Sequence, residues 1–188
     1  MDDNNIIIRG ETYSLLYTEE QIRKRALEIA QNIVDNYMSK KIPTLLIVLN
    51  GGMYFGVMLS QCLDDLHFEH HIDTICIKSY SKDGQQDGVT ITKYPDTKPG
   101  ARPIIIAENI IDTGDTLNYA HQYFQDCGLS MDDISYAVLL MRDNHGALTF
   151  TPDYVGFMIS GGWVVGCGLD TEKGHRGLKD LYKKKGLT

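Results

Sequence analysis

The sequence predicts an α/β fold with a central, mostly parallel sheet flanked by helices. Apolar runs of strand length alternate with amphipathic helical segments, which is the pattern of βαβ units. The run at 44–49 is apolar without a break after its first residue, as expected of a strand that is buried on both faces. At 188 residues the chain is long enough for one core and short for two, so we predict a single domain over 1–188.

The predicted elements follow one another along the chain. A helix over 18–39 is the clearest, because Thr18 and Gln21 form a capping box at its start. Its apolar residues recur at spacings of three and four, at Ile22, Ala26, Ile29, Ile33 and Tyr37. Further strands are predicted at 44–49, 68–79, 89–93, 104–108 and 134–141, and further helices at 53–66, 115–127 and 178–185. The polar, glycine-containing stretch at 80–88 is predicted to be a loop.

Composition excludes several classes of function. The net charge of −7 argues against nonspecific nucleic-acid binding, which needs a basic face. No apolar run approaches the roughly 18 residues that a membrane span requires. The four cysteines are widely spaced and form no CxxC pair, so reduced thiols and a cytoplasmic location are expected.

The segment 104–117 carries the strongest functional signal. An apolar run ends in Glu108 and Asn109, the acidic turn at 112–116 follows, and a helical pattern resumes at Leu117. Free N–H groups at a helix start favour a phosphate, and carboxylates can bind a sugar diol, hold a cation or take a proton. The structural alternative is an ordinary connection in which Thr113 or Asp115 caps the helix.

Other segments have both a functional and a structural interpretation. Gly51 and Gly52 follow a buried strand and precede a helix, so they form either an anion-binding loop or a tight turn. As strand-end loops, 49–52 and 108–116 could share one crevice of a parallel sheet. Taken without any resemblance, Arg142 is a surface residue in a loop and Trp163 a core residue of a short strand.

These motifs resemble those of the type I phosphoribosyltransferases. The segment 104–117 is similar to the family's motif for phosphoribosyl pyrophosphate (PRPP), and an aspartate at 112 resembles the enzymes that act on 6-oxopurines. Asn50-Gly51-Gly52 is similar to the pyrophosphate loop of those enzymes, with Asn50 in place of a lysine. The segments 153–157 and 163–170 also match, and the resemblance covers residues 14–183.

The resemblance implies a fold, an activity and partners. It implies a core at about 14–141 and a small hood formed by the N-terminal residues and about 142–183. The implied reaction transfers the 5-phosphoribosyl group from PRPP to N9 of hypoxanthine or guanine, giving IMP or GMP and pyrophosphate in purine salvage. Mg²⁺ is the implied cofactor, a homodimer or homotetramer is the implied assembly, and no nucleic acid or membrane partner is expected.

The resemblance also implies a role for each site residue. Asp112 would be the general acid/base, and the remaining PRPP contacts would be Glu108, Asn109, Thr113, Gly114, Asp115 and Thr116. Pyrophosphate would meet Gly51, Gly52 and Arg176. The purine would meet Arg142, Trp163, Val164 and Asp170. Ser79 and Tyr80 would begin a mobile loop over the site. Mg²⁺ would be held near Glu108, Asn109 and Asp170.

Three positions depart from the family pattern, because Asn50, Asn109 and Arg142 stand where the family has Lys, Asp and Lys. Two alternatives therefore remain open. Arg142 alters the base pocket, which would suit an enzyme that prefers xanthine. Asn50 and Asn109 each remove a charge, which would suit a non-catalytic regulator that binds PRPP or a nucleotide.

Overall fold

The computed structural model describes residues 5–38, 41–82, 85–171 and 174–186. Its strands are β1 (Asn5–Ile8), β2 (Glu11–Tyr17), β3 (Thr44–Leu49), β4 (His71–Lys82), β5 (Gln85–Lys93), β6 (Ile104–Ile111), β7 (Ile134–Arg142), β8 (Tyr154–Ile159), β9 (Val164–Val165) and β10 (Leu181–Lys184). Its α-helices are α1 (Glu19–Tyr37), α2 (Met53–Asp65) and α3 (Asp115–Asp126). In these ranges, no helix has the length and apolar character needed to cross a membrane.

Six of these strands form the central sheet, in the order β5-β4-β3-β6-β7-β8. Neighbouring strands pair in parallel from β4 through β3, β6 and β7 to β8. The edge strand β5 pairs antiparallel with β4. One face of the sheet packs against α1 and α2 and the other against α3. The predicted α/β fold with a mostly parallel central sheet is therefore confirmed.

Strand β3 shows why its sequence is continuously apolar. Leu45 and Ile47 point into the cluster with α1 and α2, whereas Leu46 and Val48 point into the cluster with α3. All four side chains are almost fully buried. Since each buried aliphatic side chain contributes about 1.5–3 kcal/mol, a polar residue at any of these positions would be costly. Burial on both faces thus fixes β3 in the middle of the sheet.

The connections of the sheet create a crevice between β3 and β6. The chain leaves β3 through α2 on one face and leaves β6 through α3 on the other, and the two strands are paired side by side. The order of strands reverses at this point, so the two connections diverge. In open α/β sheets such a switch point, at the carboxyl ends of the strands, is where ligands bind.

A second sheet of four strands, in the order β1-β2-β10-β9, is the predicted small hood. The helix expected near 178–185 is wrong, because β10 occupies Leu181–Lys184 and pairs with β2 and β9. Pairing with these two strands overrides the local lysine-rich pattern, which is typical of the end of a helix. The boundary expected for the hood also differs, since β8 lies within 142–183 but belongs to the central sheet.

Two further boundaries differ from the sequence expectation. Strand β6 continues past residue 108 to Ile111, because it keeps pairing with β7 as far as Met141. The expected loop at 80–88 is largely strand, since β4 continues to Lys82 and pairs with β5 from Gln85 onward. The polar composition suggested a loop. Pairing in the hairpin satisfies the backbone hydrogen bonds of these residues, and such pairing does not require apolar side chains. The strand predicted at 89–93 is the second half of β5.

Candidate active site

The crevice between β3 and β6 contains a cavity of about 270 Å³, hereafter the Glu108 cavity. It is lined by the end of β3 with the following loop, the end of β6 with the start of α3, and single residues from elsewhere. These residues are Val48, Leu49, Asn50, Gly51, Ile77, 108–117, Leu169 and Arg176. The two strand-end loops that the sequence suggested as partners therefore meet in one cavity.

Glu108 and Asn109 lie buried at the carboxyl end of β6. The Oε1 atom of Glu108 accepts a hydrogen bond from the Asn109 N–H at 2.8 Å. Burial raises the pKa of Glu108 to about 8, although that N–H and the charge of Arg176 oppose the rise. Burial thus favours the neutral form of this carboxyl when no ligand is bound. It ionises more readily when positive charge develops beside it.

The side chain of Asn109 is only 4% exposed and lies against the loop after β3. A Cβ atom at Gly51 would come within 2.9 Å of its Nδ2 atom. In the described part of the chain, that buried Nδ2 has no hydrogen-bond partner. Because an unsatisfied buried donor is costly, this amide would gain from a hydrogen bond to a ligand that reaches it.

The glycines after β3 are required by close backbone contacts. A Cβ at Gly52 would lie 2.7 Å from the Val48 carbonyl oxygen and 2.8 Å from that of Ala107. The Gly52 N–H donates to the Val48 oxygen at 2.9 Å. In this conformation that N–H is already used, and the expected contact of Gly52 with pyrophosphate stays a prediction. Gly51 remains the candidate donor of the pair.

The turn at 112–116 forms an anion cradle at the start of α3. Gly114, at φ 92°, is the residue that precedes the helix and has no side chain to cap it. The Asp115 N–H donates to the Thr113 hydroxyl oxygen at 3.4 Å, so Thr113 caps this first N–H weakly, as the structural alternative expected. The same hydroxyl donates to the Asp115 carboxylate at 2.8 Å. The next N–H groups of α3 keep the capacity to bind a phosphate.

A loop that the sequence did not single out holds this turn in place. The Asn118 side chain donates to the Ala147 carbonyl at 2.8 Å and accepts from the Thr149 N–H at 2.9 Å. A Cβ at Gly146 would lie 2.3 Å from the Thr113 carbonyl oxygen. Segment 146–149 therefore packs directly on the cradle. An isolated asparagine in a helix gives no sequence signal for such a contact.

A second cavity, of about 470 Å³ and hereafter the Trp163 cavity, adjoins the first and shares Asp112 and Thr113 with it. Its other lining residues are Arg142, Asn144, Gly146, Gly161, Gly162 and Trp163. Trp163 is 49% exposed, so the interpretation of this residue as core is wrong. The Nε atom of Arg142 donates to the Asp112 carboxylate at 2.5 Å. A planar ring, a cation and a carboxylate thus face one space.

Of the remaining site residues, Arg176 lines the Glu108 cavity. Arg176 donates to Asp170 at 2.7 Å and to the Gly168 carbonyl at 2.6 Å. Asp170 and Val164 are absent from the described lining of both cavities. The pairing with Arg176 favours the pyrophosphate-side role of Asp170 over contact with a purine. The Val164 side chain is buried in β9, so its backbone is the group left to meet a ligand.

Gly168 fastens this loop to the loop after β3. It has φ +93°, and a Cβ there would lie 2.0 Å from the Gly51 carbonyl oxygen and 3.2 Å from Asn109 Nδ2. The two backbones therefore touch, with the Asn109 amide beside them. A glycine-rich stretch suggested only loops in the sequence, and nothing in it pointed to this contact.

The backbone of Ser79 and Tyr80 lies in β4, in pairs with Val89 and Gly88 of β5. The last residue of β3 pairs with Cys76, so β4 continues beyond the end of its neighbour. Ile77 at the base of this extension lines the Glu108 cavity. The extension is thus strand rather than loop, and its role as a cover over the site stays a prediction.

Comparisons with known proteins agree with this geometry. Residues 12–172 match the phosphoribosyl transferase domain family. The chain is 31% identical to a hypoxanthine-guanine phosphoribosyltransferase of Lactococcus lactis, over 87% of this chain and 86% of the relative. It is 27% identical to one from Aquifex aeolicus, over 93% and 96% of the two chains. A solved hypoxanthine phosphoribosyltransferase of Trypanosoma cruzi, in complex with the product IMP, superposes with a TM-score of 0.83 and 28% identity over 96% of this chain and 98% of that one.

Proposed function

The chain belongs to the phosphoribosyl transferase domain family, and from this premise we propose that it transfers the 5-phosphoribosyl group of PRPP to N9 of hypoxanthine or guanine. The products are IMP or GMP and pyrophosphate, so the enzyme serves purine salvage. One observation carries the proposal. The Glu108 cavity, with a phosphate cradle and a diol-binding carboxyl, adjoins a Trp163 cavity suited to a planar base, and Asp112 lies where they meet.

Each part of PRPP is assigned to the groups of the Glu108 cavity whose chemistry can bind it. The 5-phosphate takes the free N–H groups at the start of α3 and the Thr116 hydroxyl, and the Thr113 hydroxyl joins them once it turns away from Asp115. The ribose hydroxyls take Glu108 and Asn109, which are buried side by side. The pyrophosphate takes the Gly51 N–H and the Arg176 guanidinium, because both groups face the same cavity.

The base is held in the Trp163 cavity, where the indole offers a stacking surface and Arg142 a donor to the 6-oxo group. Departure of pyrophosphate leaves positive charge on the ribose, which the Glu108 carboxylate offsets. Asp112 takes the proton from N7 of the purine as N9 bonds to the ribose. The reverse donation would serve the return reaction.

The donor set fits Mg²⁺ as an ion shared with the substrate. Within the described ranges no cluster of three His, Cys, Asp or Glu side chains could hold a metal alone. Glu108, Asp170 and the amide oxygen of Asn109 supply hard oxygen atoms, and substrate phosphates complete such a shell. When bound, Mg²⁺ would neutralise charge on the leaving pyrophosphate. Asn109 brings one negative charge fewer than an acid at that position.

Replacement of Trp163 by alanine is expected to raise KM for hypoxanthine roughly tenfold, because base–aromatic stacking contributes about 1–3 kcal/mol. The half-exposed indole adds little to the core, so the thermal midpoint of unfolding should change little. Steady-state kinetics and a thermal melt test this, with Trp163→Phe as the control that keeps a stacking ring. A lower melting temperature with an unchanged KM would contradict the stacking role.

The choice among bases tests the proposal against its two alternatives. PRPP and Mg²⁺ are incubated with hypoxanthine, guanine, xanthine and adenine in parallel, and nucleotide formation is measured. We expect IMP and GMP to form. Adenine should be used roughly 10⁴-fold less well, because its 6-amino group is a donor and would face the donors of Arg142. XMP as the main product would favour the alternative of an enzyme that prefers xanthine, which Arg142 suggested. The absence of a nucleotide with any base would favour the regulator.

We also propose that the chain assembles with copies of itself, as a homodimer or homotetramer, and acts in the cytoplasm. Met53, Tyr54 and Val57 on α2 are exposed apolar residues that lie next to one another on the helix, which supports a protein partner there.

A further inference from the structure

Arg142 and Asp112 form an ion pair in the Trp163 cavity. The Nε atom donates to Oδ1 at 2.5 Å, and the arginine side chain is 12% exposed whereas the aspartate is 57% exposed. An exposed carboxylate on a loop can turn among several rotamers, so a nearly buried partner fixes its direction. The general acid/base candidate is therefore oriented before any ligand binds.

The register of the sheet places these two residues side by side. Ile111 of β6 pairs with Met141 of β7, and Asp112 and Arg142 are the next residues along the two parallel strands. Arg142 pairs with Ile159 of β8, so that strand holds its backbone on one side. The packing of segment 146–149 on the Asp112–Gly114 turn secures the connection further. The contact is thus built into the fold rather than formed by two free surface residues.

Only part of the guanidinium is used by Asp112. Nη1 of Arg142 is buried and has no partner among the residues that the structure describes. An arginine presents donors on several nitrogens in a fixed fork, so one nitrogen can hold Asp112 while another serves the base. A lysine has a single ammonium group, and its donors cannot hold two acceptors in a fixed relative geometry.

We propose that Arg142 is a positioning residue for Asp112. It keeps the carboxylate directed at the N7 proton of the purine while a second nitrogen of the same fork donates to the 6-oxo group. Arg142 thus acts on turnover through Asp112 and on base binding directly. The inference rests on the proposed phosphoribosyl transfer and adds to it a role that follows from the arginine in this chain.

A double-mutant cycle tests the coupling. Arg142→Met, Asp112→Asn and the double variant are compared with the unmodified chain for kcat and for KM with hypoxanthine. We expect Arg142→Met to lower kcat about tenfold to a hundredfold in the normal background, and to change kcat little once Asp112 is already Asn. If the two single-variant reductions in kcat multiply in the double variant, the proposal is overturned, because Arg142 would then act independently of Asp112.

Two further measurements separate positioning from binding and folding. Arg142→Lys should have a KM for hypoxanthine close to that of the unmodified chain but a lower kcat. A kcat equal to that of the unmodified chain would contradict the role of the guanidinium fork. Quenching of Trp163, the single tryptophan of the chain, reports IMP binding directly. A folded Arg142→Met variant should still bind IMP, more weakly. If the unmodified chain forms no nucleotide, the proposed function fails; if it is active and the cycle multiplies, this inference alone fails.

Discussion

Replacement of Asp112 by asparagine is expected to lower kcat by a factor of about 100 or more, with only a modest change in KM. Asparagine has nearly the same shape but cannot take the N7 proton at neutral pH. The side chain is more than half exposed, so its exchange leaves the core unaltered. A loss confined to turnover is the sign of a group that acts in the transition state.

The matched control is Asp143→Asn, which removes the same charge from the exposed residue just after β7. Asp143 is absent from the described lining of both cavities, so this variant should retain the kinetics of the parent chain. Initial rates over a range of PRPP and hypoxanthine concentrations give kcat and both KM values. An Asp112→Asn enzyme with an unchanged turnover number would remove Asp112 from the mechanism.

Replacement of Gly168 by alanine is expected to lower kcat/KM about 100-fold in a protein that still folds. The new Cβ would lie 2.0 Å from the Gly51 carbonyl oxygen, so the two loops must move apart. That movement displaces Gly51, the Asn109 amide and the Arg176 contact together. A displacement of about 1 Å in groups that position a substrate can cost a factor of about 100.

Gly128→Ala is a close control for this variant. Gly128 also has a positive φ, of +81°, but a Cβ there would meet no atom within 4 Å. Both variants therefore carry the cost of a left-handed backbone, about 1–2 kcal/mol, and only Gly168→Ala adds the contact with Gly51. Kinetics and thermal melts of the two are compared. Equal losses of kcat/KM would show that the contact between the loops does not position the site.

Much of the fold could be predicted because burial leaves a strong pattern. The run at 44–49 is apolar since both faces of β3 are covered, and its predicted bounds match the structure. The helix at 18–39 was recognisable from its capping box, which the structure contains. The strand β10 and the part of the β4–β5 hairpin within 80–88 could not be predicted, because pairing with a neighbouring strand rather than local apolar periodicity holds them.

The site divides in the same way. Glu108, Asn109 and the cradle at 112–116 follow one another in sequence, so one motif revealed them together. The contacts of Gly168 with Gly51, and of Asn118 with Ala147 and Thr149, join residues that are far apart along the chain. The Asp112–Arg142 pair depends on the register of β6 against β7. Sequence patterns report what a residue is and where it lies along an element, not which loop it meets.

The most direct test of the central claim is to quantify both products of the reaction with hypoxanthine. The purified chain is incubated with PRPP, Mg²⁺ and hypoxanthine, and IMP and pyrophosphate are measured over time by chromatography and mass spectrometry. We expect IMP and pyrophosphate to appear in equal amounts, and neither to form when PRPP or the chain is omitted. Binding of PRPP without formation of IMP, or of GMP when guanine replaces hypoxanthine, would contradict phosphoribosyl transfer to a 6-oxopurine.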